Sequence, residues 1–204
     1  MDKWKGKYRI PSARADWWDY TSDGAYFITI CAQSHQHFFG TCKDGKMKMN
    51  SIGALVQGFW FEIPKHASHV SLGEFVVMPN HIHGILILDK SILADNNIDH
   101  SAFEAAPMEI KTKLEGVPMP TPVNNKTPGE NRHRNQGKNS ISSIVGGFKS
   151  VCTKNIHLDF PNQKFEWQDL FWDNIITTER SFDEITKYIA NNPANWQNDK
   201  FYRL

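Results

Sequence analysis

The stretch Glu74-Phe-Val-Val-Met-Pro-Asn-His-Ile-His-Gly-Ile-Leu-Ile-Leu88 holds two apolar runs joined by Met78-Pro79-Asn80. Proline and asparagine are turn formers, so Val70 to Val77 and Ile82 to Leu88 are expected as an antiparallel strand pair. Residues i and i+2 of a strand share a face. His81 and His83 should therefore project together while Ile82 turns into the opposite layer. Two imidazoles at one spot are half of a metal site. The pair alone is not diagnostic, because histidines often only hydrogen-bond to their neighbours.

Outward from this pair, Ala25 to Ala32 follows the turn former Asp23-Gly24 and is rich in aromatic and β-branched residues, so it reads as a buried strand. Ser51 is a candidate cap for a helix with Ile52, Leu55, Val56, Phe59 and Ile63 at helical spacing and Pro64 near its end. After a long irregular stretch, Ile141, Ile144, Val145, Phe148 and Cys152 mark one face of a second helix, with Lys149 and Lys154 off that stripe. Leu170 to Thr177 reads as a fourth strand. A last helix is expected from Ser181, with Glu184 completing a capping box, and must stop by Pro193. This order predicts an α+β fold, an antiparallel sheet with helices packed on one face.

With 40% hydrophobic residues, the 204-residue chain can bury one sizeable core without disulfides. Cys31, Cys42 and Cys152 are scattered and odd in number, so they draw neither a disulfide framework nor a Cys-x-x-Cys knuckle. Reduced thiols suit the cytosol. No stretch approaches the roughly 18 to 20 apolar residues of a membrane span, and Met1 to Tyr20 lacks a signal-peptide core. A soluble, cytoplasmic protein is expected. A net charge of +1 argues against nonspecific coating of nucleic acid, which rests on many phosphate-neutralising cations.

Local charge carries more. Lys3, Lys5, Lys7, Arg9 and Arg14 stand among Trp4, Tyr8, Trp17 and Trp18, a mixture able to neutralise phosphates and stack unpaired bases. The alternative is a solvated tail whose aromatics dock on the core. From about Lys90 to Asn139 the periodicity disappears, and five of the ten prolines and the basic group Lys126, Arg132, Arg134 and Lys138 appear. So long an irregular stretch is expected to be an insertion and not a second domain. The chain is thus expected to form a single domain over 1–204, with a basic and aromatic segment 1–24, an insertion over 90–139 and a final helix over about 181–192.

In that helix Phe182, Ile185 and Ile189 form the inward stripe, and Tyr188 and Asn192, four apart, share a face at its edge. Singly, such residues are ordinary: a half-buried tyrosine packs with its hydroxyl in water, and an asparagine before proline ends a helix. Jointly they matter, because a helix lying across the sheet would deliver a phenol and an amide to the histidine pair.

Four segments carry a resemblance: Gly24-Ala-Tyr-Phe-Ile-Thr-Ile-Cys31, Glu74-Phe-Val-Val-Met-Pro-Asn-His-Ile-His-Gly84, Gly147-Phe-Lys-Ser150 and Tyr188-Ile-Ala-Asn-Asn-Pro-Ala-Asn-Trp196. In type, order and spacing they resemble the REP-associated tyrosine transposases, relatives of the insertion-sequence single-tyrosine transposases of the HUH group. The resemblance runs from about Arg9 to Trp196 and leaves only the middle insertion outside. It implies a ferredoxin-like or RRM-like sheet of the HUH endonuclease fold, His81 and His83 as ligands of Mg²⁺ or Mn²⁺, Asn192 as third ligand and Tyr188 as nucleophile. It also implies cleavage and rejoining of single-stranded, hairpin-bearing DNA by a monomer or homodimer associated with the nucleoid. Arg9, Arg14, Lys149 and Lys154 are the expected DNA contacts. The strand Phe171-Trp-Asp-Asn-Ile-Ile176 departs from the pattern, with Asn174 and Thr177 where a His and a following Arg are frequent.

The residue types suit the chemistry. A divalent ion neutralises and polarises a phosphodiester oxygen, and tyrosine attack conserves bond energy in a covalent 5′-phosphotyrosine that a second DNA end can reverse. Alanine at His81 or His83 is expected to abolish cleavage and spare the fold, since ligands facing a surface contribute little packing. Two rivals stand beside this expectation. A noncatalytic single-stranded nucleic-acid binder would stack bases on strand aromatics, and a zinc hydrolase would need a further His, Asp or Glu from elsewhere in the chain.

Overall fold

The central strand of the sheet is apolar on both faces. All eight residues of the strand His81–Leu88 are buried, which is possible only with a layer on each side. The computed structural model describes residues 3–4, 7–8, 18–91 and 139–203. Arg9, Arg14 and nearly all of the 90–139 insertion lie outside the described residues.

In chain order the elements are β1 (Lys3–Trp4), β2 (Lys7–Tyr8), β3 (Gly24–Cys31), β4 (Gly40–Lys43), β5 (Lys46–Met49), α1 (Ser51–His66), β6 (Val70–Val77), β7 (His81–Leu88), α2 (Ile141–Asp159), β8 (Trp172–Ile176) and α3 (Glu179–Asn191). The four-stranded sheet is antiparallel in the order β6-β7-β3-β8. Among the described residues, the sheet and three α-helices make the expected α+β fold, with β6 and β7 paired as their turn residues predict.

The helices divide between the two faces. Helices α1 and α2 cover the face bearing Tyr26, Ile28, Ile30, Ile82 and Leu86, through Val56, Trp60 and Ile63 and through Ile144, Phe148 and Cys152. Helix α3 lies on the opposite face, where Phe182 and Ile189 pack on Ala25, Ile85, Ile87 and Ile176. The single helical layer expected from the element order therefore describes α1 and α2 only. The reason is β7 itself: its odd-numbered isoleucines need cover, and the Phe182/Ile185/Ile189 stripe supplies it.

Local capping refines the helix starts. Asn50, not Ser51, caps α1 by accepting from the Gly53 amide. Thr178 caps α3 in a reciprocal box with Ser181, so the helix begins at Glu179, two residues before the expected start. In both cases the residue that wins is the one just outside the helix whose oxygen reaches the N3 amide. A further hairpin, β4–β5, turns at Asp44-Gly45, both with positive φ.

Trp18 and Tyr20 are core residues, and the Trp18 indole donates to the Tyr26 hydroxyl at 2.9 Å. At least this end of the aromatic N-terminal segment docks on the core. Across the sheet, Gly84 permits the Trp60 ring to lie against β7: a Cβ there would sit 2.3 Å from Trp60 Cζ2. Trp60 is itself held between Phe75 (4.7 Å) and the edge of Phe148 (5.4 Å). Gly84→Ala is accordingly expected to destabilise the fold by about 1–3 kcal/mol, the usual effect of overpacking, read as a lower thermal midpoint.

Candidate metal and nucleophile site

The register that pairs Thr29 with His83 and Cys31 with His81 puts both imidazoles on the α3 side of the sheet. They touch each other, with Nε2 to Nε2 at 3.1 Å. Each ring is anchored at its far nitrogen: His81 Nδ1 to Asn80 Oδ1 and His83 Nδ1 to the Thr29 hydroxyl, both at 2.8 Å. The Asn80 amide donates to the carbonyls of His35 (3.1 Å) and Phe201 (2.9 Å), which orients its oxygen towards His81. His81 must therefore carry its proton on Nδ1 and present a bare Nε2. Thr29 can donate or accept. His83 is thus free to direct an Nε2–H at His81, or to shift that proton to Nδ1 and offer a second lone pair.

Both rings are buried, 0% and 1% exposed. Burial pulls the His81 pKa down to about 3, helped by the positive charge potential of His35 and Lys200. Burial also holds His83 well below the usual range, with His81 adding to the effect. Both are neutral at physiological pH, the form that binds metal. Burial overturns the expectation that these ligands face a surface. Trp196, Phe201 and Tyr188 close over them with ring centroids at 4.8 to 6.0 Å. Truncation to alanine would leave a cavity and strand the anchoring groups.

Helix α3 brings Tyr188 and Asn192 to this spot. The Tyr188 hydroxyl lies 3.4 Å from His83 Nε2 and 3.5 Å from Asp199 Oδ2. Its ring is 43% exposed and meets Phe27 edge-on at 6.0 Å. Partial burial raises its pKa, and the Asp199 carboxylate raises it further. Asn192 is buried; its amide Nδ2 donates to Asp199 Oδ2 at 3.3 Å, and its Oδ1 has no hydrogen-bond partner.

Asp199 is the residue the sequence did not single out. The chain leaves α3, turns through Pro193–Asn198 and returns Asp199 to the imidazoles, where the ligand atoms of His81, His83 and Asp199 lie within 4.8 Å of one another. Its Oδ1 accepts from the Phe201 amide at 2.6 Å, which fixes the carboxylate. Two imidazole nitrogens, a carboxylate and an orphaned buried amide oxygen form a mixed N/O donor set of the type that holds a divalent ion. The short Nε2 to Nε2 approach also suits nitrogens sharing an ion at bond lengths of about 2.0–2.1 Å.

Lys149 and Lys154 are not part of this cluster. They ride on α2, in the layer on the other face of the sheet, and Lys149 Nζ donates to the carbonyls of Gln168 and Asp169 at 2.6 and 3.0 Å.

The fold and the cluster thus define an α+β protein with a two-histidine, one-carboxylate site beside a tyrosine. The chain belongs to one family with an uncharacterized protein of Haemophilus influenzae, 30% identical over 198 residues, spanning 97% of this chain and 95% of that protein. No family model matches. Among solved structures, a REP associated tyrosine transposase bound to a REP hairpin superposes over 98% of this chain and 77% of its own, with a TM-score of 0.49 and 15% identity. Among the described residues, no helix is long and apolar enough to cross a membrane.

Proposed function

We propose that the chain is a metal-dependent single-stranded DNA nickase and strand transferase, a tyrosine transposase acting on hairpin-bearing DNA. The observation that carries this is the approach of the Tyr188 hydroxyl to the paired imidazoles, 3.4 Å from His83 Nε2. His81, His83 and an oxygen from Asp199 or Asn192 would hold Mn²⁺ or Mg²⁺. Such an ion supplies charge neutralisation and polarisation of a phosphate oxygen.

Tyr188 Oη attacks phosphorus, the bond from phosphorus to the 3′ oxygen breaks, and the products are a 5′-phosphotyrosine and a free 3′-hydroxyl. The phenol proton leaves as the 3′ oxygen gains one, so the step is balanced without a further reactant. Asp199 Oδ2, at 3.5 Å, would take the phenol proton. Because the phosphodiester energy persists in the protein–DNA bond, another 3′-hydroxyl can reverse the reaction. The neighbouring aromatics Phe27, Trp196 and Phe201 exclude water from the imidazole side.

Incubating the protein with Mn²⁺ and a hairpin oligonucleotide bearing single-stranded flanks is expected to give a covalent adduct that resists denaturing electrophoresis. No adduct on any such oligonucleotide would refute the proposal. The His81–His83–Asp199 grouping also favours a second reading, a metal-dependent hydrolase with water as nucleophile. Its product would be a free 5′-phosphate with no protein attached, and Tyr188→Phe would leave it active.

A further inference from the structure

Among the described tryptophans, Trp18, Trp60, Trp167 and Trp196 are buried, whereas Trp172 is 40% exposed. It stands on β8, one of the two edge strands of the sheet. Its register partner is Thr29, which in turn pairs with His83, so directly opposed residues place Trp172 on the imidazole face. Two strand spacings separate their backbones by roughly 10 Å. Phe201 bridges the gap, with ring centroids 5.6 Å from Trp172 and 4.8 Å from His81. The exposed Lys200 carries its ammonium over the Phe201 ring, 4.7 Å from the centroid.

A large indole left 40% exposed, backed by the buried Phe201 ring and flanked by an exposed ammonium, has the composition of a single-strand subsite: the indole face takes a base and the ammonium takes the adjoining phosphate. We propose that Trp172, with Phe201 and Lys200, forms a stacking platform for an unpaired nucleotide flanking the phosphate held at the imidazoles. The platform deepens the DNA reading above and rests on it. Trp172 acts here as a positioning residue, since it touches neither the reacting oxygen nor the imidazoles.

The experiment compares two probes in EDTA, where binding is read without cleavage: a fluorescein-labelled hairpin with single-stranded flanks and the same hairpin without them. Trp172→Ala is expected to weaken binding of the flanked hairpin about ten-fold or more, in line with the loss of one base–aromatic stack. It should leave the bare hairpin unchanged, and Trp172→Phe should retain most of the affinity. In the Mn²⁺ reaction the same alanine variant should raise KM and spare kcat.

Equal affinity of the native and Trp172→Ala proteins for the flanked probe would overturn the platform, as would equal loss on both probes or no binding of either probe by the native protein. Flank-dependent binding that needs Trp172, together with no covalent adduct, would sink the nickase and leave the platform standing. Adduct formation with an unchanged KM in Trp172→Ala would do the reverse.

Discussion

Tyr188→Phe is expected to abolish the covalent DNA adduct, lowering cleavage by roughly six orders of magnitude, the scale seen on removal of a catalytic nucleophile. The substitution deletes one oxygen and little else. The ring keeps its contacts with Phe27 and His83, and the contacts the hydroxyl loses are long ones, 3.4 and 3.5 Å. The folded protein should therefore melt within about 0.5 kcal/mol of the native one. Mn²⁺ affinity, measured by calorimetry, should be nearly unchanged. Loss of the adduct with fold and ion binding retained would assign the defect to the nucleophile. Persisting cleavage would transfer the chemistry to water and favour the hydrolase.

His83→Gln is expected to reduce Mn²⁺ affinity by about a hundred-fold or more and to remove adduct formation with it, since ligand loss exceeds the 10–100-fold typical of an anchoring partner. Glutamine roughly preserves the volume and can still bond to Thr29. Alanine would confound the measurement. His83 is buried against Phe27, His81 and Tyr188, and emptying that space is expected to destabilise the fold by about 2–3 kcal/mol. A calorimetric titration of His83→Gln that matches the native protein would remove the imidazole pair from any metal site.

Much of this site is legible in the primary structure because its determinants are local and periodic. Alternation along β7 sends His81 and His83 one way and Ile82 the other. The Phe182, Ile185 and Ile189 stripe on α3 likewise carries Tyr188 and Asn192 at a fixed phase. Asp199 has no such signature: it follows a helix stop and a 3-10 turn, and only the path of the backbone returns it to β7. Asn80 reads as a turn former, yet its amide becomes an anchor because the His35 and Phe201 carbonyls arrive from distant parts of the chain.

Other differences have simpler causes. Clusters such as Asn50-Ser51 and Thr177-Thr178 offer several caps, and backbone geometry chooses among them. The Asp44-Gly45 signal was available, but β4 and β5 have no buried residue to give the hairpin a periodic apolar face. Placement of α3 on the second face follows from β7 being apolar on both sides, which element order alone does not convey.

The eight-residue pairing of β3 with β7 carries one more implication. A slip of one residue would turn the two imidazoles in towards Trp60 and leave Ile82 and Leu86 on the Tyr188 face. Such a chain would have lost stability and chemistry in the same stroke. Register thus sets the core and the histidine cluster together: a chain that misplaces the imidazoles also misplaces its packing.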